Sequence, residues 1–297
     1  LKRWVRQGVI SRAWLGTGEE ATTTGPVFAL DPARDYVCPM IRNASACCDM
    51  GMLLADMFRG YLAADNSPSR GRDVHIGDMD NHILPPISPV GVVVPVTMGL
   101  ALSARITGEQ RVAMTWIGDG TANAGVTHEG LNFAAVRRVP AIFILQNNQV
   151  ALGTRLDQHH RAESFAEWPV AYGMTGLSFD GNNVLDAYAA TALAVEKCLE
   201  GEGPVLLLAE TFRMGGHATH DEREARATFP EELFQSWGRR DPIGMFEEYL
   251  KAEGVSGETL ESIEKEMTAR VERAAEEALR DRDRLPKPES ALENVYA

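Results

Sequence analysis

Cysteine is scarce and unpatterned in this chain. Cys38, Cys47, Cys48 and Cys198 form no Cys-x-x-Cys pair, and adjacent cysteines such as Cys47 and Cys48 are poor partners for a structural bridge. A disulfide scaffold or a thiolate zinc site is therefore not expected, and a reducing compartment fits better. No run of 18 apolar residues exists, and the start Leu1-Lys2-Arg3-Trp4 has no signal-peptide core, so neither a spanning helix nor a secretory leader is expected. Because Leu1 is not a methionine, a further N-terminal stretch is expected ahead of it. Positive charge is in deficit, at a net −13 near pH 7. Such a surface repels nucleic acid and anionic membranes, so neither is an expected partner, and any phosphate must be held by local donors or a metal. No period of 20–50 residues repeats, which excludes a solenoid. The reading is a soluble, cytoplasmic protein.

A chain of 297 residues can bury an ordinary core as one large α/β domain with arms. Residues 1–60 read as a helical arm and interface region: a cationic amphipathic stretch from Leu1 to Ile10, a small-residue helix from Ala21 to Leu30, and another from Met50 to Ala64. Residues 61–229 read as an α/β domain. There the apolar runs Arg111 to Ile117, Pro140 to Leu145, Gly176 to Phe179 and Val205 to Ala209 predict strands. Between them lie helical patterns, including one capped by Asn183 with Val184, Leu185, Tyr188, Ala192, Val195 and Leu199 on its apolar face. Strands separated by helical crossovers predict a parallel sheet covered on both faces. Residues 230–297 turn acidic and helical. Leu260, Ile263, Met267, Val271, Ala274 and Leu279 recur at helical spacing there, as a face to pack on the body or on a partner.

In an open parallel sheet, ligands sit where loops leave the carboxyl ends of strands. Two such loops carry small, oxygen-bearing residues: Gly118-Asp119-Gly120 and Asn147-Asn148. The glycines let a ligand approach the backbone, while Asp119 and Asn148 offer hard oxygens that suit Mg²⁺ or Ca²⁺ rather than zinc. Alone, each tripeptide or pair is an ordinary strand-ending turn. Together, 26 residues apart across a strand–helix–strand unit, they resemble the thiamine diphosphate motif.

The wider stretch Trp116 to Ala135 is similar to the alpha subunit of the decarboxylating component of 2-oxo acid dehydrogenase complexes. Arg213-Met214-Gly215-Gly216-His217, Ser88-Pro89-Val90, Leu285-Pro286-Lys287-Pro288 and Asn294-Val295-Tyr296 extend that resemblance over nearly the whole chain. It implies that Asp119 and Asn148 ligate Mg²⁺ by side chain and Val150 by its carbonyl. Gly118, Gly120 and Thr121 would border the phosphates, with Gln146 on the phosphate side. Ser88 and Val90 would meet the aminopyrimidine, and Arg42 and Arg213 would reach the diphosphate or order its loop. His217 would be the catalytic histidine, with a proton-shuttling role suited to imidazole. Ile41 departs from the family's tyrosine, removing one hydroxyl contact, and Ala218 replaces a regulatory serine. His128, His159 and His160 read as surface or helix residues. A metal cluster of His217, His220 and Asp221 is a lesser alternative.

A chain with both halves of such a cofactor site would need roughly 350–500 residues at ordinary domain sizes. The resemblance therefore implies a beta subunit that supplies the activating glutamate, in a heterotetramer of two alpha and two beta chains, and a lipoyl-bearing acyltransferase that accepts the acyl group. Gly91, Gly99, Ala101 and Ser103 suit close packing at such interfaces. Pyruvate, branched-chain 2-oxo acids and acetoin all remain open as substrates, with Ser88-Pro89-Val90 and the tail leaning toward the branched-chain type. Two other classes stay open: a Mg²⁺-dependent phosphohydrolase and a non-catalytic scaffold subunit.

Overall fold

The computed structural model describes residues 1–293; the resemblance at Asn294-Val295-Tyr296 falls outside the described residues. Its centre is a five-stranded parallel sheet. The strands β1 (Tyr36–Cys38), β2 (Ala113–Gly118), β3 (Ala141–Asn147), β6 (Thr175–Asp180) and β7 (Val205–Glu210) lie in the order β1-β2-β3-β7-β6. A small antiparallel hairpin, β4 (Val150–Ala151) with β5 (Thr154–Arg155), follows β3.

Every residue of β2 and β3 is buried, because helices cover both sheet faces. Alternation along the strands sorts the core in two. Met114, Trp116, Ile142, Ile144, Val205 and Leu207 face one side, with Val27, Ala187 and Ala194 from the helices Glu20–Phe28 and Val184–Leu199. Ile117, Phe143, Leu145, Leu206 and Leu208 face the other, beneath Val94, Met98 and Ala101 of the helix Val93–Thr107 and Leu131 and Ala134 of the helix Gly125–Arg137. The first 60 residues share in this body, since β1 is the sheet's edge strand and pairs with β2.

Two expected elements differ. The helix expected from Met50 to Ala64 spans Leu54–Tyr61. Gly51, at φ +116°, lies in backbone that a β-carbon disfavours and that a helix cannot use. The helix Val184–Leu199 is capped by Asn183 as expected, its side chain accepting from the Leu185 N–H. Its buried face, however, is Ala187, Thr191, Ala194 and Cys198, while Leu185 and Tyr188 are exposed. Close approach is the reason. A β-carbon on Gly25 would stand 2.7 Å from the Val184 carbonyl oxygen and 2.8 Å from Ala187 Cβ, so only small side chains fit between these helices.

At the C-terminal end, the helix Gly257–Leu279 docks its last turns on the N-terminal region, where Trp4, Phe58, Leu62, Ala275 and Ala278 form a separate cluster. Ile263, Met267 and Val271 stay about half exposed. Only the end of the expected apolar face is used within this chain.

Candidate active site

Parallel pairing sets Gly118 of β2 beside Gln146 of β3, so Asp119 and Asn148 leave neighbouring strand ends on the same sheet edge. Both are buried. Asp119 Oδ1 accepts from the Gly120 N–H at 2.8 Å, while Oδ2 is buried with no hydrogen-bond partner. Burial, only partly offset by that N–H and by Arg42, pushes the Asp119 carboxyl up to about 6. A carboxylate oxygen in this state is under-satisfied, and a divalent cation would satisfy it.

Asn148 donates its Nδ2 to Glu19 Oε1 at 2.7 Å, and its Oδ1 lies 3.4 Å from the Val150 N–H. Val150 is buried at the start of the β4–β5 hairpin, which closes over the turn after β2: a β-carbon on Gly120 would meet Ala151 Cβ at 2.3 Å. Asp119 and Asn148 thus offer a carboxylate and an amide oxygen from neighbouring strand ends, with Val150 following in the hairpin; oxygen donors of this kind suit Mg²⁺, and thiolates of the kind zinc favours are not among them. Among the described residues no group of three or more His, Cys, Asp or Glu is placed to hold a metal. That removes the His217–His220–Asp221 cluster but does not bear on a set with one acidic member.

Thr121, two residues after Asp119, lines a cavity of about 360 Å³, within the range of ordinary small-molecule sites. Arg42, Ser88, Val90, Thr121 and His217 line it, with Trp14, Met40, Ile41 and Ile87 making much of its apolar wall. His217 is partly buried, and the 217–221 turn that holds it is tied by its carboxylate: Asp221 accepts from the His217 and Ala218 N–H groups at 3.1 and 2.8 Å. Burial first, then the Arg42 and Arg213 charges, lower the His217 pKa to about 4. The ring is therefore neutral at pH 7.

Other residues of the expected set stand behind the cavity wall. Gln146 is fully buried, with its amide N–H donated to Glu19 and its oxygen accepting from Asn43 Nδ2 at 3.1 Å. Arg213 is buried too. It donates to the Leu152 carbonyl at 2.6 Å and the Gly215 carbonyl at 3.2 Å, clasping the hairpin after β3 to the histidine loop. Burial, with Arg42 nearby, lowers its pKa to about 10. Gly118 caps the turn after β2.

Glu19 was not among the expected site residues. It is fully buried beneath the site, held there because Trp116 Nε1 donates to the Thr22 carbonyl at 2.7 Å and moors its helix to β2. Nothing local in the Gly16-Thr17-Gly18-Glu19-Glu20 turn distinguishes the fully buried Glu19 from its partly buried neighbour Glu20. His159, read as a surface or helix residue, ends a short helix and turns its ring toward Asp119. Its side chain is only 14% exposed, and Nε2 lies 3.8 Å from Asp119 Oδ2 while Nδ1 meets Asn123 Nδ2 at 3.1 Å. The short helix Leu156–His159 after the hairpin carries it inward.

The family model for the dehydrogenase E1 component matches residues 1–287. The chain belongs to that family. It is 34% identical over 284 residues to the 2-oxoisovalerate dehydrogenase subunit alpha of Bacillus subtilis (strain 168), covering 94% of this chain and 85% of the relative. It is 31% identical over 285 residues to the pyruvate dehydrogenase E1 component subunit alpha of Bacillus cereus, covering 95% of this chain and 73% of the relative. The resemblance drawn from the Gly-Asp-Gly and Asn-Asn loops is thereby shown for this E1 chain, as is the parallel α/β fold. No helix among the described residues is long and apolar enough to cross a membrane.

Proposed function

We propose that this chain is the alpha subunit of a 2-oxo acid dehydrogenase, acting on a branched-chain 2-oxo acid or pyruvate and passing the acyl group to a lipoyl carrier. The observation that carries the reading is the buried, unpartnered Asp119 Oδ2 beside Asn148, next to a cavity lined by Ser88, Val90 and His217. Asp119, Asn148 and the Val150 carbonyl would hold Mg²⁺. Gly118, Gly120 and Thr121 would border the diphosphate, and Arg42 would reach it from the opposite wall. When bound, thiamine diphosphate supplies the nucleophilic carbon and the electron sink for decarboxylation.

The chain's own groups do the rest. Ser88 and Val90 orient the aminopyrimidine, and the apolar wall at Trp14, Met40, Ile41 and Ile87 excludes water and suits an aliphatic substrate side chain. His217, uncharged at neutral pH, is free to accept a proton at a ring nitrogen during acyl transfer. A beta subunit would complete the site. Ile106, Phe133 and Val136 are exposed on the helices Val93–Thr107 and Gly125–Arg137, and Val90 is exposed at the cavity rim, an apolar surface fit for that partner. A lipoyl-bearing acyltransferase would then receive the acyl group, and a cytoplasmic setting suits four free thiols.

Asp119→Ala in the alpha–beta complex is expected to abolish Mg²⁺-dependent binding of thiamine diphosphate by titration calorimetry. Unchanged affinity would remove the metal-ligand assignment. A parent complex that binds no cofactor would favour the scaffold reading.

A further inference from the structure

We infer that Glu19 is a positioning residue that decides which atom of Asn148 is offered to the cation; this rests on the metal site proposed above. Glu19 is fully buried. Its Oε1 accepts from Asn148 Nδ2 and from Gln146 Nε2. Its Oε2 lies 3.5 Å from Arg42 Nε and is buried without a hydrogen-bond partner.

An ionised carboxylate only accepts hydrogen bonds. Both neighbouring amides must therefore turn their NH₂ groups toward it, because the opposite orientation would press oxygen against oxygen. For Gln146 the choice is reinforced, since its oxygen is taken by Asn43 Nδ2, which also donates to Thr23 Oγ1 at 2.7 Å. For Asn148 the consequence is functional. With Nδ2 committed to Glu19, Oδ1 is turned to the Val150 side, the only one of its two polar ends that can ligate a cation. A flipped Asn148 would present NH₂ to Mg²⁺ and contribute repulsion.

Charge alone forecasts weaker Mg²⁺ binding for Glu19→Gln as well, because a negative group near a cation site favours the cation. It forecasts no change for Glu19→Asp, so the charge-preserving variant separates the two accounts. Glu19→Gln keeps the shape but sets an NH₂ against either the amides or Arg42. Glu19→Asp keeps the charge but is one methylene too short to reach both amides.

The test is a Mg²⁺ titration of the alpha–beta complex at saturating thiamine diphosphate, read by calorimetry. Both variants are expected to need about 10–100-fold more Mg²⁺ for half-saturation, the usual effect of losing an outer partner of a ligand. The number of sites is expected to equal the parent's once Mg²⁺ is raised. An unchanged or lowered midpoint would overturn the inference, as would fewer sites at the parental midpoint, the mark of a purely structural role. A parent complex with no Mg²⁺-dependent cofactor binding would instead overturn the metal reading beneath it.

Discussion

His217 and Asp119 titrate in opposite senses. The His217 ring, buried and facing two arginines, gains its proton only near pH 4, whereas in the unfolded chain it does so near the ordinary histidine value of 6.5. Between those values the unfolded state holds more protons, so the contribution of His217 is complete above pH 6.5 and is lost as pH falls toward 4. Asp119, raised to about 6, holds more protons when folded and pulls the other way over an overlapping range. A comparison with a variant isolates the histidine. His217→Asn is expected to shrink the loss of unfolding free energy between pH 7 and pH 5, measured by urea denaturation, and an unchanged loss would refute the shift. The Gly-Asp-Gly and Asn-Asn loops were readable as neighbours at one end of the sheet because their spacing spans one strand–helix–strand unit. Glu19 and His159 were not, because an isolated acid or histidine acquires its role only from what packs around it.

The segment Ser88-Pro89-Val90 reaches the cavity through a turn at Gly91, whose φ is +84°. A β-carbon there would be disfavoured by the backbone and would also stand 2.7 Å from both Thr127 Oγ1 and Val126 Cγ1. Backbone strain and overpacking add in the same direction, so Gly91→Ala is expected to cost about 2–4 kcal/mol in a denaturant titration. Gly99, exposed on the following helix with nothing within 4 Å of its missing β-carbon, serves as the neutral comparison. If the two substitutions behave alike, the turn does not have the constraint described. Strands as continuous apolar runs were legible, since β2 and β3 are covered on both sides. The inward face of the helix Val184–Leu199 was not, because Gly25 on another helix sets how near it lies and so which of its faces fits.

The molecule is closed by a contact between its two ends. Arg59, only 13% exposed, meets Asp56 and Glu277 at 2.7 Å and Asp281 at 2.8 Å, joining the helix Leu54–Tyr61 to the end of the helix Gly257–Leu279. Without the guanidinium, three carboxylates would face one another. Arg59→Ala is expected to cost roughly 1–3 kcal/mol and to speed proteolysis between residues 280 and 287, measured by limited digestion; parental cleavage rates would show that the apolar cluster around Trp4 and Phe58 holds the helix alone. The acidic net charge is compatible with the proposed phosphate-bearing ligand at this level too. Around the cavity the Arg42 and Arg213 charges act on those of Glu19 and Asp119, two positive against two negative, so this region lacks the excess negative charge of the whole chain.

Order along the chain was enough to establish the alternation of strand and helix, the parallel sheet and the two loops at its edge. Those features follow from local periodicity and from spacing that survives in one dimension. Tertiary packing alone decided that Glu19 is buried beneath Asn148, that Gln146 is spent inside a hydrogen-bond network, and that small residues form the inner face of a helix. Each depends on distances between segments more than a hundred residues apart, or on the shape of a neighbouring helix, and no local pattern encodes them.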